Sequence, residues 1–226
     1  MEVDLNADVG EGLATDGELL RIVTSANVAC GFHAGDDATM ARLCALAAEL
    51  GVVVGAHVSY RDREGFGRRD VDVGAAVVER ETLEQVAALQ AHGRVAYVKP
   101  HGALYHRASV DEACATAIVA GTLAADGPRA VLAFPGSRLF AVAGEAGLVA
   151  VAEGFADRGY DARGRLVARG EPGALLDAET AVRQAVALAA DVGSICLHGD
   201  SPGAVELARN VAGGLRDAGF ELRPFA

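Results

Sequence analysis

Apolar residues recur along the chain in short runs, each followed by an alanine-rich stretch of helical period. The runs predict strands over 3–8, 26–30, 52–57, 95–99, 130–134, 148–152 and 194–198. The stretches between and after them predict helices over 17–23, 37–50, 75–92, 110–125, 137–146, 178–190 and 202–218. Strand–helix units joined by short loops require parallel strands and right-handed crossovers. Runs that are apolar throughout suit a sheet covered on both faces. The pattern therefore allows a barrel or a doubly wound open sheet.

Several helix ends are legible. Ser109-Val110-Asp111-Glu112 has the spacing of a capping box, and Ser201-Pro202 that of an N-cap followed by an N1 proline. Gly51 and Gly93 stand where a glycine relieves left-handed strain after a helix. Val205, Ala208, Ala212 and Leu215 fall on one face of the last helix, as in a helix packed on a sheet. The longest irregular stretch, 154–175, is rich in Gly, Arg and Asp and reads as an excursion over the mouth of a barrel. No linker or low-complexity segment divides residues 1–226, so one domain is expected.

At 226 residues and 51% hydrophobic, the chain can bury the core of one α/β barrel. A formal charge of −11, with a pI near 4.9, opposes binding to nucleic acid or anionic lipid. No apolar stretch is long enough to span a bilayer, and the first residues lack the pattern of a signal peptide. Cytoplasmic location is the expectation. The four cysteines (Cys30, Cys44, Cys114, Cys196) form no CxxC pair and read as reduced residues, Cys30 and Cys196 as small core hydrophobes.

Polar residues gather at the carboxyl ends of the predicted strands. Strand one carries Asp4, Asn6 and Asp8 in alternation, then Glu11. Strand two leads to His33 and Asp36, strand three to His57 and then Arg68-Arg69, strand four to Lys99-Pro100-His101, strand six to Glu153-Gly154-Phe155-Ala156-Asp157-Arg158, and strand seven to His198-Gly199-Asp200. In a parallel barrel these ends share the face on which active sites are built. Lys99 is the only lysine beside nineteen arginines. A lysine is a compact charge whose pKa responds to burial, which arginine does not supply. Asp8 lies nearer the carboxyl end than Asp4, which suits hydrogen bonding at the barrel bottom. Asp36 also holds the position of a helix N-cap, and Arg68-Arg69 suits either an anion site or a solvated loop. His92 and His106 read as surface residues. Three histidines with Asp8 have the donor types of a divalent-metal site, Asp8, His57 and His101 being the candidate ligands, but no HExxH spacing supports it. There is no GxxxxGK[ST] phosphate loop and no GxSxG elbow.

With these residues placed, the chain resembles the LamB/YcsF family, identified with the A subunit of ATP-hydrolysing 5-oxoprolinase. The resemblance rests on Asp4-Leu5-Asn6-Ala7-Asp8-Val9-Gly10-Glu11, on Ala26 through Asp36, on Gly55-Ala56-His57, and on Gly65-Phe66-Gly67-Arg68-Arg69. It continues through residues 98–105, 153–160, Glu171-Pro172-Gly173-Ala174 and 198–204. It implies a single-domain, seven-stranded TIM-like β/α barrel similar to the glycosidase and deacetylase type. It also implies an enzyme that opens the lactam of 5-oxo-L-proline to L-glutamate with ATP, Mg2+ as its counter-ion, and 5-oxoprolinase subunits B and C as partners. Ala7 stands where cysteine is frequent in that family, Val58 and Arg61 where prolines are, and His106 where asparagine is. The Ala7 difference argues against an obligatory cysteine nucleophile there.

The expected roles follow that chemistry. Lys99, with Arg68 or Arg69, neutralises phosphate charge; Asp8 or Glu11 is the general base; His57 or His101 relays protons. Asn6, His33, His198 and Asp200 bind and position the substrate. Two other readings fit the sequence: a metal-dependent amide or N-acetyl hydrolase, and a non-catalytic protein that binds substrate or scaffolds its partners.

Overall fold

The computed structural model describes residues 1–200 and 203–226. In chain order its elements are β1 (Glu2–Val9), α1 (Asp16–Leu19), β2 (Ser25–Ala29), α2 (Asp37–Leu50), β3 (Val53–Val58), α3 (Ala75–Gln90), β4 (Tyr97–Pro100) and α4 (Gly102–Val110). They continue with α5 (Glu112–Ala124), β5 (Ala130–Ala133), α6 (Arg138–Glu145), β6 (Val149–Phe155), α7 (Ala178–Leu188), β7 (Ser194–His198), α8 (Ala204–Asp217) and β8 (Glu221–Leu222). Strands β2 to β7 pair in sequence order, all parallel, and β1 pairs with both β2 and β7. Seven strands thus close into a barrel, and the open-sheet alternative falls away. The short β8 adds to the amino end of β1 at Glu2 and Val3.

The strands are not apolar on both faces. Val3, Leu5, Ala7 and Val9 of β1 join the core that packs under the helices, as do Val28, Ala56, Val98, Val131 and Ile195. The alternate positions Asp4, Asn6, Asp8, Ser25, Asn27, His57, Lys99, Glu153 and Ser194 are buried as well. A strand period of two sends these to the other face, the barrel interior. Inside, they satisfy one another. Asn27 donates to Asn6 Oδ1 (2.7 Å) and Asp8 Oδ1 (2.8 Å), Tyr97 donates to Asn27 Oδ1 (2.7 Å), and Asn6 donates to Ser194 Oγ (2.7 Å). Gly55 faces the Tyr97 ring, which occupies the space a side chain at that position would need. At the amino end Tyr97, Leu132 and Val151 form an apolar plug capped by Phe225.

Some helix boundaries differ from expectation. The helix expected over 110–125 is two helices meeting at Asp111, whose carboxylate caps α5 by accepting from Ala113 N and Cys114 N. Ser109 does not cap; its hydroxyl bonds back to Tyr105 O within α4. The first helix is a single turn. Gly51 ends α2 with φ 70°, whereas Gly93 is not left-handed, because α3 ends through right-handed Ala91. On α8 the buried stripe runs through Ala204, Leu207, Ala208, Val211, Ala212 and Leu215, leaving Val205 half-buried. The expected Ser201-Pro202 cap lies outside the described residues. No helix among the described residues is long and apolar enough to cross a membrane.

Candidate active site

The carboxyl ends of the strands surround a cavity of about 910 Å³. Asp8, His57, Lys99, His101 and His198 line it with Tyr105 and Phe155, while loops place Arg68, Arg158 and Arg169 around it and α4 contributes Arg107. The expected excursion is present: bridges Arg158–Leu175 and Tyr160–Leu166 shape residues 158–175 into a flap that contributes Arg158, Leu166, Ala168 and Arg169 to the cavity wall.

Lys99 projects from β4 into the barrel. Its ammonium donates to Asp8 Oδ1 (3.0 Å), Glu153 Oε1 (2.9 Å) and Cys196 Sγ (2.9 Å), with Asn6 Oδ1 at 3.5 Å. Burial favours the neutral amine, but Asp8 and Glu153 outweigh it and hold the Lys99 pKa well above the ordinary value. Burial likewise opposes ionisation of Asp8, and the charges of His57 and Lys99 override it, holding this carboxyl well below its usual range. Lys99 is therefore saturated by carboxylates, and a phosphate clamp at this ammonium is not what the geometry offers. Burial pushes the Cys196 thiol well up, so it serves as a neutral acceptor beside the ammonium. It is not the simple core hydrophobe expected from the sequence.

His198 Nδ1 bonds Asp157 Oδ1 at 2.9 Å, and its Nε2 faces Asp8 Oδ2 at 3.9 Å. A carboxylate that holds Nδ1–H leaves Nε2 as the basic nitrogen, and here that nitrogen faces the cavity. Phe155 stacks on the ring at 5.6 Å.

Beside Asp8 is a second group. Glu11 Oε1 lies 3.2 Å from His33 Nε2, 3.4 Å from His101 Nδ1 and 3.9 Å from His57 Nε2. His57 Nε2 and His101 Nδ1 are 3.0 Å apart, and the His33 and His101 rings stack at 3.9 Å. Burial raises Glu11, with Asp8 adding to the effect; burial also lowers His33 and His101, with the neighbouring histidines adding to it. The loop after β3 closes over this group. Phe66 there has φ 54° and Gly67 φ 64°, and a Cβ on Gly67 would strike Ser59 Oγ and come within 2.9 Å of His101. Glu11 and His33 lie behind His57 and His101 and are not in the cavity wall.

The remaining candidates are dispersed. Asn6 is buried beneath the cavity in the interior network. Arg69 turns away to Asp62, bonding through its Nε at 2.8 Å, and is not in the cavity wall. Arg68 reaches Asp200 Oδ2 at 2.5 Å, and Arg169 grips the same carboxylate at 3.0 and 3.2 Å. Asp4 sits low in the barrel, accepting from Thr24 (2.6 Å), Ser25 (2.7 Å) and Ser194. Asp36 caps α2. Glu153, Asp157 and Arg158, marked in the sequence only by following strand six and given no role there, belong to the site, as do Tyr105 and Arg169. The inward position of Glu153 is within reach of the sequence pattern, since Val149, Val151, Glu153 and Phe155 keep the strand alternation going beyond residue 152.

The LamB/YcsF family model matches residues 3–226. A protein of Streptomyces griseus, named as the A subunit of 5-oxoprolinase, is 51% identical, the match covering 99% of this chain and 100% of the relative. One of the same name from Nocardia farcinica is 47% identical over the whole of both chains. The crystal structure of a lactam utilization protein from Thermus thermophilus superposes with a TM-score of 0.90, at 36% identity and full coverage of both chains. A family 4 carbohydrate esterase from Streptomyces lividans, at 14% identity, reaches a TM-score of 0.56 over all of this chain and 93% of its own, a likeness of fold.

Proposed function

Because the chain belongs to the LamB/YcsF family, we propose that it opens the lactam of 5-oxo-L-proline to L-glutamate, consuming ATP and working with subunits B and C. The observation that carries this reading is full-length identity of about half to relatives named as the A subunit of 5-oxoprolinase. The cavity suits the chemistry. An amide is a poor electrophile, and transfer of a phosphoryl group from ATP to its oxygen activates the ring carbon. Water then adds to that carbon, and the protonated ring nitrogen departs, leaving an acyl phosphate. A second water releases phosphate, so lactam, ATP and two waters give glutamate, ADP and phosphate.

In this scheme His198, oriented by Asp157, takes the proton from water and delivers it to the ring nitrogen. Asp8, kept ionised beside Lys99, stabilises the imidazolium that forms. Arg158 and the two partly exposed guanidiniums that share one carboxylate, Arg68 and Arg169 on Asp200, leave net positive charge in the cavity wall for the phosphoryl group. His198→Asn in the assembled enzyme is the test. Glutamate formation falls about 10²–10⁴-fold if His198 carries the proton, and unchanged turnover removes that assignment.

A further inference from the structure

The histidines beside Asp8 pose a problem of protons. His57 Nδ1 is 3.1 Å from the carbonyl of Lys99, and His101 Nε2 is 2.9 Å from that of Phe66. A carbonyl only accepts, so both of those nitrogens carry hydrogen. The remaining nitrogens, His57 Nε2 and His101 Nδ1, face each other at 3.0 Å, and His57 Nε2 also lies 3.3 Å from Asp8 Oδ2. Were both rings neutral, two lone pairs would meet there and repel, so a positive centre, either a proton or a metal ion, belongs between them. Glu11 adds a buried carboxyl whose ion-pair partners among the described residues are imidazoles, with Arg68 and Lys99 acting on it only from farther away. Buried charges are paired or bind metals.

We propose that Glu11, His33, His57 and His101 bind a divalent transition-metal ion of zinc type, beside the cavity and distinct from the Lys99 network. One donor atom from each residue lies within 4.8 Å of the other three. The separations of 3.0, 3.2, 3.4 and 3.9 Å bracket the edge of about 3.4 Å in a tetrahedron of bonds near 2.1 Å. The carbonyls on His57 and His101 are the outer contacts that fix a ligating imidazole. His33 lacks one, its Nδ1 being buried without a partner among the described residues. It is thus the weakest ligand of the four. Asp8 stands outside the set: its Oδ1 is taken by Lys99 and Asn27, and its Oδ2, though 3.3 Å from His57 Nε2, falls in a separate group with Cys196 and His198. The ion would supply the positive charge that the two facing nitrogens and Glu11 share.

The test needs no lactam chemistry, so its outcome is separate from that of the proposed function. The full chain is stripped with chelator and titrated with Co2+ and Zn2+, reading visible absorption, metal stoichiometry and thermal melting. One Co2+ per chain with a tetrahedral spectrum, displaced by Zn2+, is expected. Melting temperature should rise with metal concentration, as for any ligand of the native state. Glu11→Gln and His101→Ala should each weaken binding at least ~100-fold and His33→Ala ~10-fold, as for graded loss of ligands and their supports. Cys196→Ser should leave affinity unchanged, which separates this site from the neighbouring Asp8, Cys196 and His198 group. Circular dichroism establishes that each variant is folded. An unaltered chain that takes up neither ion, or affinity that persists in folded Glu11→Gln and His101→Ala, overturns the proposal and leaves a shared proton between His57 and His101.

Discussion

Glu153 Oε1 lies 2.9 Å from the Lys99 ammonium inside the barrel, both side chains screened from solvent. Asp8 holds the same ammonium at 3.0 Å, so one positive charge serves two carboxylates. Removing it strands both. Lys99→Met should cost about 3–5 kcal/mol, the usual effect of breaking a buried ion pair from one side. Adding Glu153→Gln should recover part of that loss. Urea unfolding of the two variants checks this, and equal stabilities would deny the coupling.

Lys99→Arg keeps the charge and changes its shape. The cage of Asp8, Glu153, Cys196 and Asn6 is filled by a compact ammonium, and a planar fork requires those groups to move. Turnover in the assembled enzyme should fall at least ~100-fold, since displacement of Asp8 by about an ångström carries a penalty of that size. Full turnover with unchanged substrate affinity would show that the ammonium has no special part.

Asp4 predicts a pH effect on stability. Burial raises its pKa from 3.8 to about 6, against the pull of its hydroxyl donors. The native state therefore binds a proton more tightly than the unfolded chain. Stability falls as pH rises from about 4 to 6 and is level above, a loss of about 3 kcal/mol. Asp4→Asn should flatten this segment of the stability curve relative to the unaltered chain. Parallel slopes for the two proteins would contradict the assignment.

Gly67 sits at a tight point of the loop that covers the histidines. With φ at 64° and no room for a Cβ between Ser59 and His101, Gly67→Ala should destabilise by about 1–3 kcal/mol. The same change should disturb the His33–His101 stack, which imidazole resonances in NMR report. An alanine variant with unchanged melting and unchanged resonances would refute the close approach.

How far the site is legible in the sequence follows from the kind of signal each residue leaves. Asp8, His57, Lys99, His101 and His198 are marked by lying at strand ends, and the barrel brings those ends together around one cavity. Lys99 is also marked by being the only lysine. Glu153 is visible only as a residue following strand six; that it faces the interior as a partner of Lys99 is hidden because β6 runs to Phe155 and not to residue 152. The polar interior is hidden for a related reason. Small residues such as Ala7, Ala26 and Ala56 fill the helix-facing positions, so strands that alternate in burial partner still read as uninterrupted runs. Helix α4 is obscured because Pro100-His101-Gly102 has turn chemistry, and Ser109 and Asp111 are both good caps; only packing decides between them. Arg69 looks equivalent to Arg68, yet a single residue step turns one to Asp62 and the other to the cavity.

The most direct measurement is glutamate formation from 5-oxoproline, with and without ATP, by this chain alone and then with subunits B and C. Turnover that needs ATP and the partners is the predicted result. No turnover in any combination, or turnover by the chain alone without ATP, would contradict the account.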